Sequence, residues 1–150
     1  MITSRRGDLL FVIGVLFAPF AYAAPDEAAV RALIKQYVEA FNTGNARRLI
    51  EDVFAVSDLD KKDRAMAWDT RFEALRREDF GRLDLYDVRI CSQKQDSAVV
   101  EMRYSFQYTF GGVMPPGDQA LRFFVTQSPA GLRVTVEAVI PFDEAMACQL

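Results

Sequence analysis

Val30 to Phe54 reads VRALIKQYVEAFNTGNARRLIEDVF, and the fold is decided by how this stretch divides. Val30, Leu33, Ile34, Tyr37, Val38 and Phe41 recur at the i, i+3, i+4, i+7 spacing of one helical face. Arg31, Lys35, Gln36 and Glu39 fall on the opposite side. Asp26 is placed to cap the first turn, and Glu27 adds negative charge where the helix dipole favours it. Asn42-Thr43-Gly44 stops the helix, because glycine enters the left-handed conformation without a steric cost. Asn45 then caps a second helix whose inward positions are Ala46, Leu49, Ile50 and Val53. Two helices this short are marginal alone and need a sheet to lie on.

Working outward, residues 1–23 read as a secretory signal. Arg5-Arg6 form a charged leader, Leu9 to Phe20 is an apolar run too short for a membrane span, and Ala21-Tyr22-Ala23 gives the small-x-small cleavage site. The expected product is residues 24–150, one domain in a periplasmic or secreted setting without a stable membrane anchor. Losing Arg5, Arg6 and Asp8 takes the formal charge from −3 to −4. Mild acidity with mixed signs gives no nucleic-acid footprint. Cys91 and Cys148 both survive cleavage, and in an oxidising compartment two cysteines suggest one disulfide. The alternative is a half-buried strand residue and a separate tail thiol. If the bridge forms, it is expected within one chain, pinning the tail across the sheet.

After the helical pair, Asp58 offers an N-cap for a third helix striped by Ala65, Trp68, Phe72 and Leu75 and ending near Gly81. Beyond Leu83 the period changes to two. Leu83–Cys91, Ala98–Phe110, Ala120–Gln127 and Leu132–Ile140 read as strands, with Ser92–Asp96 a hairpin loop and Gly111–Asp118 a loop with an apolar tip. On the second strand Val100, Met102, Tyr104, Phe106, Tyr108 and Phe110 share one face. Glu101, Arg103, Ser105, Gln107 and Thr109 share the other, which reads as solvated together with Arg133 and Glu137. A homodimer through that face is the alternative. Helices followed by antiparallel strands form an α+β pattern.

Tyr37-Val38-Glu39-Ala40-Phe41-Asn42-Thr43-Gly44-Asn45 resembles the helix-1/helix-2 junction of the nuclear transport factor 2-like superfamily, also called SnoaL-like or ketosteroid isomerase-like. The element order agrees over most of residues 26–141. The resemblance implies a cone: three N-terminal helices packed on a curved, mostly antiparallel sheet, with a pocket at its open end. It also makes Val53–Val56 a short strand beside the last one.

The superfamily holds enzymes, carriers and assembly components, so the fold alone does not decide function. The chain has no histidine, which removes His–Asp acid/base pairs and His-containing metal sites. Asp58-Leu59-Asp60-Lys61-Lys62-Asp63 is interrupted by lysines and reads as a solvated turn, so no metal and no cofactor is expected. Tyr37 stands seven residues before Gly44, where the isomerases place an oxyanion donor. Asp58 or Asp60 loosely matches their base, but residues 120–125 supply no late-strand acid. The reading is therefore a domain that binds an apolar small molecule or a protein partner without catalysis. One alternative is an isomerase- or lyase-type enzyme using Tyr37 with Asp58, Asp60 or Asp69. Another is a structural part of an envelope or secretion assembly. The expected pocket draws on Tyr37, Phe41, Trp68, Phe72, Tyr104, Phe106, Tyr108 and Phe124.

Overall fold

The computed structural model describes residues 23–108, 112–114, 119–141 and 147–149, so the expected signal lies almost wholly outside the described residues. Helix α1 spans Glu27–Asn42 and buries Val30, Leu33, Ile34, Tyr37, Ala40 and Phe41. Asp26 Oδ2 accepts from the Ala29 amide at 3.4 Å. Gly44 has φ +60°, which lets the Asn45 amide turn back to the Ala40 carbonyl at 2.9 Å. Asn45 Oδ1 in turn accepts from the Arg48 amide at 2.9 Å, opening α2, Ala46–Arg48. That helix runs directly into a π-helical turn, Leu49–Val53, closed by a Phe54 amide bond to the Leu49 carbonyl at 2.9 Å. The wider turn still buries Leu49, Ile50 and Val53.

Helix α3 spans Lys61–Arg77 and starts later than Asp58. Asp60 holds the cap position: Ser57 Oγ donates to Asp60 Oδ2 at 2.6 Å and accepts from its amide at 3.3 Å. Asp58 stays outside and pairs with Lys61 at 2.7 Å. The helix also ends earlier than expected. Asp79, at φ +57°, turns the chain into the sheet, and Gly81 is already a strand residue. Among the described residues no helix is long and apolar enough to cross a membrane.

The strands are β1 (Phe80–Gln93), β2 (Ser97–Tyr108), β3 (Gly112–Met114), β4 (Gln119–Ser128) and β5 (Gly131–Pro141). The order β1-β2-β4-β5 is an antiparallel meander. Part of the expected Gly111–Asp118 loop is β3, which pairs with Phe106–Tyr108 on the edge of β2 that β4 leaves uncovered beyond Arg103. Three register shifts between β1 and β2 bend the sheet around the helices. Phe54 makes a single parallel bridge with Val134, and the Ala55 amide donates to the Val134 carbonyl at 2.8 Å.

Aromatic edges fill the concave side. Tyr37 meets Phe123 at 5.0 Å between ring centroids, Phe41 meets Phe72 at 5.5 Å, and Phe80 meets Phe106 at 5.1 Å. Each such pair adds about 0.5–1.5 kcal/mol beyond its buried area.

The convex side is not uniformly solvated. Cys91 and Cys148 form a disulfide with a Cα–Cα distance of 4.9 Å, drawing the chain end over the sheet. Beneath it the Glu101 side chain is only 1 % exposed, ion-paired with Arg122. The Cys148 amide donates to Glu101 Oε2 at 3.0 Å, and Arg122 Nη2 donates to the Gln149 carbonyl at 3.0 Å. A buried carboxylate is tolerable when its acceptor sites are filled in this way. Arg103 lies over the Tyr86 ring at 4.9 Å.

Candidate functional site

The site begins with a change of strand parity. Phe124 pairs with Val136, but the next residue, Val125, pairs with Val134, so Thr135 is the extra residue of a bulge. Strict alternation along β5 would put Val134 and Val136 on one face and Glu137 on the other. After the bulge Val136 is half exposed, while Glu137 sits opposite Phe123 and turns inward with it. A carboxyl group is thereby delivered to the concave side.

There the Tyr37 hydroxyl donates to Glu137 Oε1 at 3.2 Å, and Arg71 Nη1 approaches the same oxygen at 3.5 Å. Tyr37 itself is fully buried, the Glu137 side chain is 12 % exposed, and Arg71 is 44 % exposed. Arg71 is held from beneath by Trp68, its guanidinium carbon lying 4.6 Å from that ring. Burial raises the Glu137 pKa, against the opposing pull of Arg71 and the Tyr37 hydroxyl. Burial, reinforced by the Glu137 charge, holds the Tyr37 phenol well above its ordinary value. Tyr104 is shifted in the same direction, again mainly by burial.

This group closes the inner end of a cleft of about 400 Å³. One wall is the α3 face of Asp60, Arg64, Ala67, Trp68 and Arg71; the others are Phe54–Ser57 with Ile50, and Val134, Thr135 and Glu137 of β5. A second cleft of about 420 Å³ lies across the Phe54–Ser57 ridge, bordered by Glu51, Lys61 and Arg133. The convex sheet face carries a separate, mostly apolar depression beside Phe124 and Val136.

Several expected site residues sit elsewhere. Trp68 lines the cleft, and Tyr37 reaches it only through its hydroxyl on Glu137. Phe41, Phe72 and Tyr104 are buried in the core, Phe72 of α3 packing edge-on against Phe41 of α1. Phe106 is packed against that core, and Tyr108 lies exposed near the end of β2. Phe124 is a correction: it is 40 % exposed on the convex face, and its neighbour Phe123 is the inward residue. Asp58 and Asp69 face solvent and neither lines the cleft; Lys61 keeps the Asp58 carboxyl below its usual range. Asp60 does border the cleft, tied to Ser57. Glu137 and Arg71 are the cleft residues that strand and helix periodicity assigned to solvent. No apolar residue in the series Thr135, Glu137, Val139 signals the inward turn, since Val139 is itself 59 % exposed. Cys91, Glu101 and Cys148 come together as a metal site could, but both thiols are consumed by the disulfide.

Compared by sequence, the chain matches no family model and no curated protein. Compared by structure, it is similar to an NTF2-like protein with a cystatin-like fold from Novosphingobium aromaticivorans, at TM-score 0.59 and 21 % identity, over 82 % of this chain and 86 % of that one. An NTF2-like protein of unknown function from Shewanella oneidensis aligns at TM-score 0.54 and 13 % identity, over 75 % and 97 %. A proposed dehydratase of the NTF2-like family from Streptomyces avermitilis aligns at 0.56 and 13 %, over 77 % and 95 %. The chain has the NTF2-like, cystatin-like α+β fold.

Proposed function

We propose that this is an extracytoplasmic small-molecule-binding domain. Its ligand occupies the cleft between α3, the Phe54–Ser57 ridge and β5, with an apolar body against Trp68 and Phe54. The observation that carries this reading is a convergent polar group, Tyr37–Glu137–Arg71, at one end of a cleft of mixed lining in which Phe54 and Trp68 supply the apolar surface. Polar groups that converge beside apolar and aromatic surface in a concavity are what orient a small ligand. The Cys91–Cys148 bridge supports an oxidising compartment, as does the signal-like leader.

The test is titration with a neutral apolar fluorophore, N-phenyl-1-naphthylamine. Saturable one-to-one binding is expected, and Ala67→Phe, which fills the cleft from an exposed helix position, should weaken it at least about tenfold, the worth of roughly 1.4 kcal/mol. Absence of saturable binding, or binding indifferent to that plug, discards the reading.

A second reading, acid/base catalysis, is favoured by one observation: Glu137 is a carboxyl group with a raised pKa at the end of a cleft. The contacts with Tyr37 and Arg71 both fall on Oε1, and the nearby Arg71 charge favours the carboxylate over the neutral acid that a general acid would need.

A further inference from the structure

The cationic lining of the cleft comes from α3. Asp60, Arg64, Ala67, Trp68 and Arg71 fall at intervals of three and four residues, so one helical face is turned into the cleft. Arg64 and Arg71 are seven residues apart, about 10 Å along the axis, with Trp68 between them. The two acids on the cleft are both engaged: Asp60 accepts from Ser57 Oγ, and Glu137 accepts from Tyr37 and Arg71. The engagement is unequal. Glu137 is nearly shut from solvent, whereas Arg71 is half open and touches Glu137 through one long contact of 3.5 Å. At the Glu137 end of the cleft an incoming ligand therefore meets a guanidinium before it meets a carboxylate, while at the other end exposed Asp60 is tied to Ser57 beside Arg64.

The Trp68 ring adds a geometric point. Stacking holds the Arg71 guanidinium over an aromatic face, and a planar guanidinium donates from its edge, not its faces. With Nη1 turned to Glu137, the Nε–Nη2 edge is the one that can meet a bidentate acceptor, the geometry a carboxylate offers. At this end of the cleft a cationic ligand would instead have to expel Arg71 and reach a carboxylate already accepting from Tyr37. A dianion such as a phosphate monoester would carry its extra charge toward Glu137.

We infer that the cleft selects ligands that carry a carboxylate on a flat apolar body, Arg71 binding the anion edge-on, Arg64 adding positive charge at the other end, and Trp68 and Phe54 flanking the body. This rests on the cleft being the binding site, as proposed above.

Three probes share one ring and differ in charge: 2-naphthoate, 2-naphthalenemethanol and 2-naphthylmethylamine. Isothermal titration of residues 24–150 should find the naphthoate bound about tenfold tighter than the alcohol, with the amine weakest. Arg71→Gln and Arg64→Gln should each remove most of that preference, read as the ratio of naphthoate to alcohol affinity within each variant. Arg71→Lys, which keeps charge without the planar edge, should retain part of it. An alcohol bound as tightly as the naphthoate, or an amine bound more tightly, overturns the anion preference and leaves the cleft as a binding site. If none of the three binds, the cleft reading falls and the preference falls with it.

Discussion

The Tyr37 hydroxyl and Glu137 Oε1, 100 residues apart in sequence, are joined by a hydrogen bond of 3.2 Å. It ties the middle of the first helix to the last strand at the point where the core gives way to the cleft. Tyr37→Phe keeps the ring contacts with Phe123 and Phe41 and removes only this donor. The expected cost is about 1–2 kcal/mol in chemical denaturation, that of a hydrogen bond to a mostly buried acceptor. In a double-mutant cycle with Glu137→Gln the two losses should be coupled by at least about 0.5 kcal/mol. Strict additivity would mean that the bond contributes nothing to stability.

Glu137 makes stability depend on pH in an unusual direction for a carboxyl group. Its folded pKa is raised, chiefly by burial, so across the interval above the ordinary glutamate range the native state binds more protons than the unfolded chain. Its contribution is then full in acid and is lost as pH rises through the folded pKa. Glu137→Gln should flatten this part of the profile, becoming relatively more stable than wild type as pH climbs from about 4 toward 7. A difference that instead grows as pH falls would show that Arg71 and Tyr37 outweigh burial.

The same bond explains why half of the site was legible in the sequence and half was not. Tyr37 was readable because the helix break at Gly44 and the spacing of Leu33, Ile34 and Phe41 fix which way α1 faces. Those are local constraints. Glu137 was not, because one bulge residue, Thr135, reverses the parity of everything after it. Phe123 and Phe124 present a related ambiguity, two adjacent aromatic residues of which only one can face the helices, and composition does not choose between them. Glu101 is a non-local case: it alternates with apolar residues as a solvated side chain would, and becomes buried through a tail 47 residues further on.

That tail carries the next prediction. Cys148 is held by the bridge to Cys91, 57 residues away, and its amide fills one acceptor site of Glu101. In the chain-entropy model, closing a loop of that length stabilises the fold by about 4 kcal/mol. Cys148→Ser should therefore lower the midpoint of thermal unfolding and release the tail. Hydrogen exchange should show the amide of residue 148 losing protection while Met102, in the middle of β2, keeps it. Unchanged protection at position 148 would mean that Glu101 and Arg122 hold the tail without the bridge.

Trp68 is the sole tryptophan of the chain, so its emission reports on the cleft alone. It lies under Arg71, with Arg64 one helical turn away on the same face. A locally positive field should draw in iodide and repel caesium, and the contrast should shrink as salt rises. Collisional quenching of Trp68 is therefore expected to be stronger with iodide than with caesium at low ionic strength. Arg71→Gln should do two things at once. It should narrow the iodide–caesium gap, because a charge has gone, and it should raise quenching by neutral acrylamide, because the ring loses its cover. A gap of the opposite sign in the wild-type protein would place Glu137 and Asp60, not the arginines, in control of the cleft's field.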